Sequence, residues 1–302
     1  MAILVDPPRW PAHGTVWAHL VSDTSLKELH AFARAAGLPG RAFDLDHYDV
    51  PAERIPELVA AGAEAVSGHE LLVRLRASGL RVRGAERGAE RARRRLADLA
   101  RRWDAVAPTG AGDAWRALGA ALLERWTQPH RRYHGDTHLA DVLGNLDLLA
   151  DDGVQVGRAV VLAAWFHDAV HDGDPRDEER SAALARDLLA PRLPADEVGE
   201  VVRLVTLTAT HDPAPGDEAG AALCDADLAV LASSAARYAA YAAAVREEYA
   251  HVPDDAFRRG RARVLRELLA HGALFATDAG RARWEDRARA NVAAELVRLE
   301  GG

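Results

Sequence analysis

Cysteine and lysine are almost absent from this 302-residue sequence, which contains one cysteine, Cys224, and one lysine, Lys27. A single cysteine cannot form an internal disulfide bond, so the fold does not depend on an oxidising compartment, and the cytoplasm is the default expectation. The other 37 of the 38 basic residues are arginine. With the abundant alanine, we interpret this as a genome-composition bias rather than the mark of a site.

Long apolar runs are also lacking. The longest, such as residues 160–166, fall well short of the roughly 18 to 20 apolar residues that cross a bilayer. The first residues carry no basic stretch ahead of an apolar one and soon reach Asp6 and two prolines. The sequence therefore predicts neither a membrane-spanning segment nor a secretion signal.

The charge is distributed unevenly along the chain. Residues 1–83 carry a net charge of −1, residues 84–103 carry +4 and residues 104–302 carry −11. Attraction to phosphates needs a basic face, so this balance argues against a general nucleic-acid binder. The arginine-rich stretch, which includes Arg91 and residues 93–95, is interpreted as a solvated linker or helix face, and contact with a nucleic acid is the alternative.

The length suggests two domains of different character. In residues 1–83, strand-like segments at 2–5, 42–46 and 63–66 alternate with helical ones at 24–36, 55–61 and from Ser67 onward. Ser67 and Glu70 have the spacing of a capping box. From residue 113 onward the periodic segments are helical, at 113–126, 136–150, 157–170, 178–190, 195–211, 222–231, 234–250, 254–270 and 280–299.

The predicted fold is therefore α+β overall. It consists of a small N-terminal α/β domain over residues 1–83, an arginine-rich linker over 84–103 and an all-α domain over 104–302.

Histidines and carboxylates gather in the helical part. His134 and His138 are four residues apart and share a face if their helix begins early enough. His167 and Asp168 end an otherwise apolar helix, and Asp227 lies within another. An imidazole and a carboxylate that enter a core need a compensating partner, and a divalent cation that binds both is one of the few that suffice.

These residues resemble a known family. His138, His167-Asp168 and Asp227 reproduce the H…HD…D signature of the HD-domain metal-dependent phosphohydrolases. Residues 133–142 resemble the Y-H-N-x-x-H-A-x-D-V motif of cyclic-nucleotide phosphodiesterases, and His171 falls where those enzymes carry H-x-G. Residues 104–300, about two thirds of the chain, are similar to a bacterial group of predicted HD-superfamily phosphohydrolases, with an H-D-x-V stretch followed by E-E-R-S-A.

The resemblance implies a metal-dependent phosphohydrolase. Its divalent ion (Mn, Fe, Co, Ni, Zn or Mg) would be held by four ligands, which are His138, His167, Asp168 and Asp227. Such a mixed nitrogen and oxygen set suits these ions and leaves positions for water. His134 takes the position of the phosphodiesterase proton donor. The alternative is a helix cap or a hydrogen bond to a neighbouring aspartate.

Other residues are candidates for supporting roles. Glu178 or Glu179 would orient a ligand histidine or activate water, although an acidic first turn of a helix explains them equally well. Arg131 and Arg132 are placed to hold a phosphate, with a surface position as the alternative. His211 would contact phosphate or a second metal ion, and the competing interpretation is a helix C-terminal cap.

Residues 1–83 resemble a small bacterial domain of unknown function, DUF4031, through Asp6-Pro7-Pro8-x-Trp10-Pro11 and Trp17-x-His19-Leu20-x-Ser22-Asp23. Polar groups are expected to converge at the carboxyl edge of a small sheet, where α/β proteins place ligands, or else to be merely solvated loop residues. They are Asp6, His13, His19, Asp23 and the Asp46-His47-Tyr48-Asp49 run. No glycine-rich phosphate loop is present, which argues against an ordinary nucleotide fold.

The expected function is hydrolysis of a phosphate ester, with a nucleotide-like small molecule as the partner and with metal-activated water attacking phosphorus. The alternative is a non-catalytic nucleotide-binding regulatory protein that uses the same pocket.

Overall fold

The computed structural model of the chain describes residues 2–12, 14–270 and 272–301, so the candidate His13 lies outside the described residues. The chain divides into two compact units, Met1–Arg94 and Arg95–Gly302. The first unit contains strands and helices, and the described part of the second contains helices and no strand. The predicted α+β fold class is confirmed.

The first unit is built on one small sheet. Its strands are β1 (Ile3–Val5), β2 (Trp10–Ala12), β3 (Thr15–Ser22), β4 (Phe43–Asp44), β5 (His47–Pro51) and β6 (Glu64–Ala65). They lie in the order β4-β5-β3-β1-β6, with β2 paired to β3. The β1–β6 pair is parallel and the other pairs are antiparallel. The strand-like stretch predicted to begin at 42–46 contains β4 and continues into β5, whereas β2 and β3 were not predicted. β3 is nearly continuously apolar and gives no clear period of two.

Three helices pack on this sheet. They are α1 (Leu26–Ala35), α2 (Ile55–Ala60) and α3 (Gly68–Ala77). The Ser67 half of the predicted capping box is confirmed, because its hydroxyl accepts the backbone N–H of Glu70 at 3.1 Å. Leu20, Leu29 and Leu58 are fully buried in the core that these elements enclose.

The arginine-rich stretch is helical. It lies in α4 (Arg87–Ala105), and the division between the units falls inside this helix. Many of its guanidinium groups face carboxylates of their own unit: Arg91 is 3.0 Å from Asp44, and Arg94 is 2.5 Å from Glu90. This pairing favours the interpretation as a helix face over a nucleic-acid contact. The predicted linker over 84–103 is thus a continuous helical segment.

The second unit is a helical body. Its further helices are α5 (Gly112–Trp126), α6 (Asp136–Asp151), α7 (Arg158–Phe166), α8 (Asp177–Leu189), α9 (Ala195–Leu207), α10 (Glu218–Leu228), α11 (Ala235–Glu248), α12 (Asp254–Ala270) and α13 (Asp278–Glu300). Each matches a predicted segment, with ends that differ by up to four residues. Trp103 and Trp115 stack at 4.4 Å in its core, and each indole N–H donates to the other's carbonyl.

Among the described residues, no helix taken singly has the length and apolar character to cross a membrane. Within these residues, the segments Glu218–Ala232 and Ala235–Glu248 together have the required length and apolar character, but the chain bends by 107° between them.

Candidate functional site

Three helices of the second unit bring the predicted metal ligands together. His138 projects from α6, His167 and Asp168 directly follow α7, and Asp227 lies near the end of α10. His138 and His167 are only 3% and 1% exposed, and the apolar residues of α7 carry the segment of His167 into the core. We call these four residues the tetrad.

The polar atoms of the tetrad lie within a few ångströms of one another. Nε2 of His138 is 3.1 Å from Nε2 of His167, 3.0 Å from Oδ1 of Asp227 and 3.6 Å from Oδ2 of Asp168. Nε2 of His167 is 3.2 Å from Oδ2 of Asp168 and 3.6 Å from Oδ1 of Asp227. Residues up to 89 positions apart in the sequence therefore share one point in space.

These separations suit a shared cation. Ligand atoms about 2.0–2.2 Å from one ion, at tetrahedral or octahedral angles, lie about 2.8–3.6 Å from one another. The Nδ1 atom of His167 is 2.9 Å from the carbonyl oxygen of Ala164, which can only accept a hydrogen bond. When the ring is neutral, as a metal ligand must be, it therefore carries its hydrogen on Nδ1 and offers the Nε2 lone pair to the tetrad. The tetrad could hold a divalent ion.

Opposite charges compensate one another within the tetrad. Burial by itself would lower the pKa of His167, but Asp168 and Asp227 outweigh it and raise that pKa well above the usual range. Burial would likewise raise the pKa of Asp168 and of Asp227, yet the neighbouring imidazoles hold both values below the usual range. Both carboxylates are thus kept ionised, which is the form that a cation requires.

A second cluster adjoins the tetrad and consists of His134, His171 and Glu248. Nδ1 of His134 is 2.6 Å from Oε2 of Glu248, and Nε2 of His171 is 3.5 Å from the same oxygen. The ligand atoms of all three lie within 4.8 Å of one another, so this cluster could also hold a cation. α6 begins at Asp136, so His134 precedes the helix, yet its ring centroid is only 5.7 Å from that of His138.

Glu248, which the sequence did not indicate, organises this cluster. Its Oε1 atom accepts the backbone N–H groups of Arg132, Tyr133 and His134 at 2.7, 2.8 and 2.9 Å. Burial would raise the pKa of Glu248, but the hydrogen bonds from His134 and His171 outweigh it and lower that pKa. Burial lowers the pKa of His134, and Glu248 opposes this shift. The hydrogen-bond partner of the His134 ring is thus Glu248 rather than a neighbouring aspartate.

The predicted glutamates fall in the first turn of α8. Glu178 is half-buried, and burial raises its pKa, with Asp168 adding to the shift and His211 opposing it. Glu179 is exposed. Their neighbour Asp177 was not predicted, but its Oδ2 atom accepts three backbone N–H groups of the loop that follows the tetrad residue Asp168. Asp177 therefore holds the loop that carries His171.

His211 reaches the tetrad directly. Its Nε2 atom is 2.8 Å from Oδ2 of Asp227. Its backbone N–H donates to the carbonyl of Leu207, the last residue of α9, at 3.0 Å, and its φ of 51° places it in the left-handed region. The position beyond the helix end agrees with the interpretation as a helix C-terminal cap, and contact of His211 with phosphate or a second metal ion stays a prediction.

The guanidinium of Arg131 is directed at nearby backbone carbonyls. It is 8% exposed, and its guanidinium donates to the carbonyl oxygens of His134 and Asp168 at 2.8 and 2.7 Å and to that of Ala169 at 3.3 Å. These donors are directed at the backbone, so the geometry favours a positioning role over phosphate binding. Arg132 is exposed, and its Nε atom is 3.7 Å from Glu247.

We expect Arg131→Met to lower the free energy of unfolding by about 2–4 kcal/mol, because the substitution leaves buried carbonyl oxygens without their donor. The matched variant Arg132→Met should change it by less than about 0.5 kcal/mol, since that side chain is exposed. Urea titrations followed by circular dichroism measure both. Unchanged stability of Arg131→Met, combined with a raised KM, would restore the phosphate-binding prediction.

Two cavities border the candidate site. One of about 170 Å³ is lined by His138 and Asp227, together with Asp141 and Arg237, which form an ion pair. The other, of about 320 Å³, lies beside the second cluster and is lined by His130, His171, Asp172, Gly173, Glu248, Tyr249 and His251. Arg237 therefore lines the same cavity as the tetrad residues His138 and Asp227.

Residues 3–78 match the family described as "Protein of unknown function (DUF4031)", which confirms the resemblance stated for the first unit. No curated protein and no solved structure matches the chain. The HD resemblance of residues 104–300 stays a prediction.

Proposed function

We propose that the second unit is a metal-dependent hydrolase of phosphate esters, acting on a nucleotide-like small molecule. The observation that carries this proposal is the tetrad: two imidazoles and two carboxylates from three helices, with contacts of 3.0 to 3.6 Å. The HD-like order of these residues supplies the reaction class. Burying two imidazoles and two carboxylates costs free energy, and a bound divalent ion that serves hydrolysis would offset this cost.

The tetrad residues would hold the ion. A bound divalent ion lowers the pKa of a water molecule and polarises a phosphoryl oxygen, which promotes attack on phosphorus. The carbonyl of Ala164 fixes the tautomer and the orientation of His167, and His211 holds the Asp227 carboxylate at 2.8 Å. Such supporting hydrogen bonds keep ligands aligned and typically change metal affinity about 10- to 100-fold.

His134 would donate a proton to the leaving group. The alkoxide that leaves phosphorus needs a proton, and imidazole titrates in the useful range. Because the Nδ1 atom of His134 is engaged by Glu248 at 2.6 Å, the proton would pass from Nε2. Glu248 is the positioning residue in this scheme, since it holds both the ring and the backbone of residues 132–134.

Substrate phosphate would be recognised beside His138 and Asp227. Arg237 lines the cavity of about 170 Å³ there, and its side chain is 55% exposed, so its donors are accessible. Of the two arginines predicted to hold a phosphate, Arg132 is the exposed one and remains accessible to a substrate. Arg237 pairs with Asp141, which would hold the guanidinium in place for a bidentate contact.

A panel assay tests the proposed function. Protein purified without chelator is submitted to elemental analysis, loaded with Mn²⁺, Co²⁺ or Zn²⁺, and incubated with nucleoside monophosphates, cyclic nucleotides and dinucleotides. We expect phosphate or nucleotide release from at least one class.

Saturable nucleotide binding without product release would favour the non-catalytic regulatory alternative, which uses the same pocket. Absence of both binding and release across the panel would contradict the two proposals together.

A further inference from the structure

A third group of potential ligands lies in the first unit, on one face of its sheet. His47 and Asp49 are two residues apart on β5, and His19 on β3 is the direct cross-strand partner of Asp49. Side chains two apart on a strand, and those directly opposite on an antiparallel partner, project from the same face. The antiparallel register therefore places the three side chains side by side.

Their ligand atoms converge. His19, His47 and Asp49 each offer one such atom within 4.8 Å of the others. Nε2 of His47 is 3.4 Å from Oδ1 of Asp49, and the two imidazole centroids are 4.9 Å apart. Two imidazoles and one carboxylate form a donor set suited to zinc and to the other divalent transition metals.

A separate carboxylate orients each imidazole. Oδ2 of Asp6 is 3.0 Å from Nδ1 of His19, and Oδ1 of Asp46 is 2.7 Å from Nδ1 of His47. Asp46 is itself fully buried and accepts the backbone N–H of Val82 at 2.7 Å. An ionised carboxylate only accepts hydrogen bonds, so both rings carry hydrogen on Nδ1 and can present a free Nε2.

The two histidines share the Asp49 carboxylate, and each ring also has a carboxylate of its own. The two imidazole centroids lie 4.9 Å apart, and the carboxylate of Asp49 lies beside both rings. Two rings, each held at Nδ1 by its own aspartate and both beside a third carboxylate, match the carboxylate–histidine–metal pattern. The guanidinium of Arg81 and the backbone N–H of Val82 compensate the buried Asp46 carboxylate at Oδ2, which leaves Oδ1 to hold His47 in one orientation.

An aromatic cavity adjoins the cluster. It measures about 570 Å³, and Asp49 lines it together with Trp10 and Trp17. The Trp10 side chain is 60% exposed, and its ring lies 6.0 Å from that of His19. Three protein ligands leave at least one coordination position for an exogenous ligand. A cavity with indole walls suits a small molecule that has a flat apolar part and a group able to bind the metal.

We propose that His19, His47 and Asp49 bind a divalent transition-metal ion such as zinc, with Asp6 and Asp46 orienting the two histidines. The remaining coordination position serves a small aromatic ligand in the adjoining cavity. This site lies within the residues that match DUF4031, and it does not depend on the proposed hydrolase activity of the second unit.

Metal stoichiometry and Co²⁺ absorption of the full-length protein test this site. The apo protein is titrated with Co²⁺, and visible absorption follows the coordination while elemental analysis counts the bound ions. His19→Gln should lose about one equivalent relative to wild type. The control His30→Gln, which changes another histidine of the same unit whose Nδ1 contacts the Tyr48 hydroxyl at 2.9 Å, should lose none.

Asp6→Asn provides a second variant that preserves shape. The Asn carbonyl can still accept the backbone N–H of His19, which Asp6 accepts at 2.6 Å, but its amide then faces Nδ1. The ring would be forced to carry its hydrogen on Nε2, the wrong tautomer for binding a metal. We expect Co²⁺ affinity to fall by about 10- to 100-fold. This result would support the site even if His19→Gln failed to fold.

Asp168→Asn separates the two proposed centres. Loss of an equivalent in His19→Gln but not in Asp168→Asn would support the first-unit site and contradict the metal centre in the second unit. The reverse result would overturn the inference made here. Wild-type stoichiometry and wild-type Co²⁺ affinity in both His19→Gln and Asp6→Asn would also overturn it.

Discussion

Asp168→Asn is expected to bind one metal equivalent fewer than wild type and to hydrolyse phosphate esters at least about 10³-fold more slowly, since metal assistance supplies several kcal/mol of transition-state stabilisation. Oδ2 of Asp168 lies 3.2 Å from Nε2 of His167 and 3.6 Å from Nε2 of His138. Asparagine retains the size of the side chain but removes the charge that a cation needs. Elemental analysis and a phosphate-release assay measure the two effects.

The control is Asp187→Asn, which changes an exposed aspartate of α8 and should leave metal content and turnover at the wild-type level. Circular dichroism establishes that both variants are folded. If Asp168→Asn retained the metal and full turnover, Asp168 would not be a ligand. If it lost turnover but retained the metal, Asp168 would act by another route, and the proposed ligand set would be wrong.

The meeting of the tetrad residues could be anticipated from the sequence because of the cost of burying them. His138, His167 and Asp227 each interrupt an apolar helical pattern, and an imidazole or carboxylate in a core must find a partner. The pattern therefore identified which residues should meet. Their separations of 3.0 to 3.6 Å depend on how α6, α7 and α10 pack, which no local pattern contains.

The contribution of Glu248 could not be found in this way. It lies 114 residues from His134 and stands in the run Arg246-Glu247-Glu248, which resembles a solvated helix end. Only the packing of α11 brings its carboxylate to three backbone N–H groups at 2.7 to 2.9 Å. Arg131 shows the opposite case, since its sequence position suggested a phosphate contact and nearby backbone carbonyls occupy its donors instead.

The first unit illustrates the effect of an unpredicted strand pair. Its polar groups were expected at the carboxyl edge of a small sheet, but His19 and Asp49 meet as antiparallel partners on β3 and β5. Asp23, one of the expected group, pairs instead with Arg74 of α3 at 2.6 Å. The sequence predicted that histidines and aspartates of this unit would converge. It did not predict which of them meet, because the register of a strand is set by long-range pairing.

The last variant, Glu248→Gln, separates proton transfer from metal binding. The Gln carbonyl can replace Oε1 as acceptor for the three backbone N–H groups, which leaves the amide group facing Nδ1 of His134. Nδ1 must then accept a hydrogen bond, and a neutral ring with its hydrogen on Nε2 is a far weaker proton donor. We expect kcat to fall by about 10²- to 10⁴-fold, the usual contribution of general acid catalysis.

The ion at the tetrad and KM should stay near wild type in Glu248→Gln, because neither the tetrad nor Arg237 is changed. The adjacent Glu247→Gln is the matched control, since Glu247 is exposed and its carboxylate reaches only to 3.7 Å from Arg132, so kcat should be retained. A substrate with an acidic leaving group, such as a nitrophenyl ester, needs less protonation and should recover much of the lost rate. An equal loss of rate on both kinds of substrate would show that Glu248 acts through the fold and that His134 is not the proton donor.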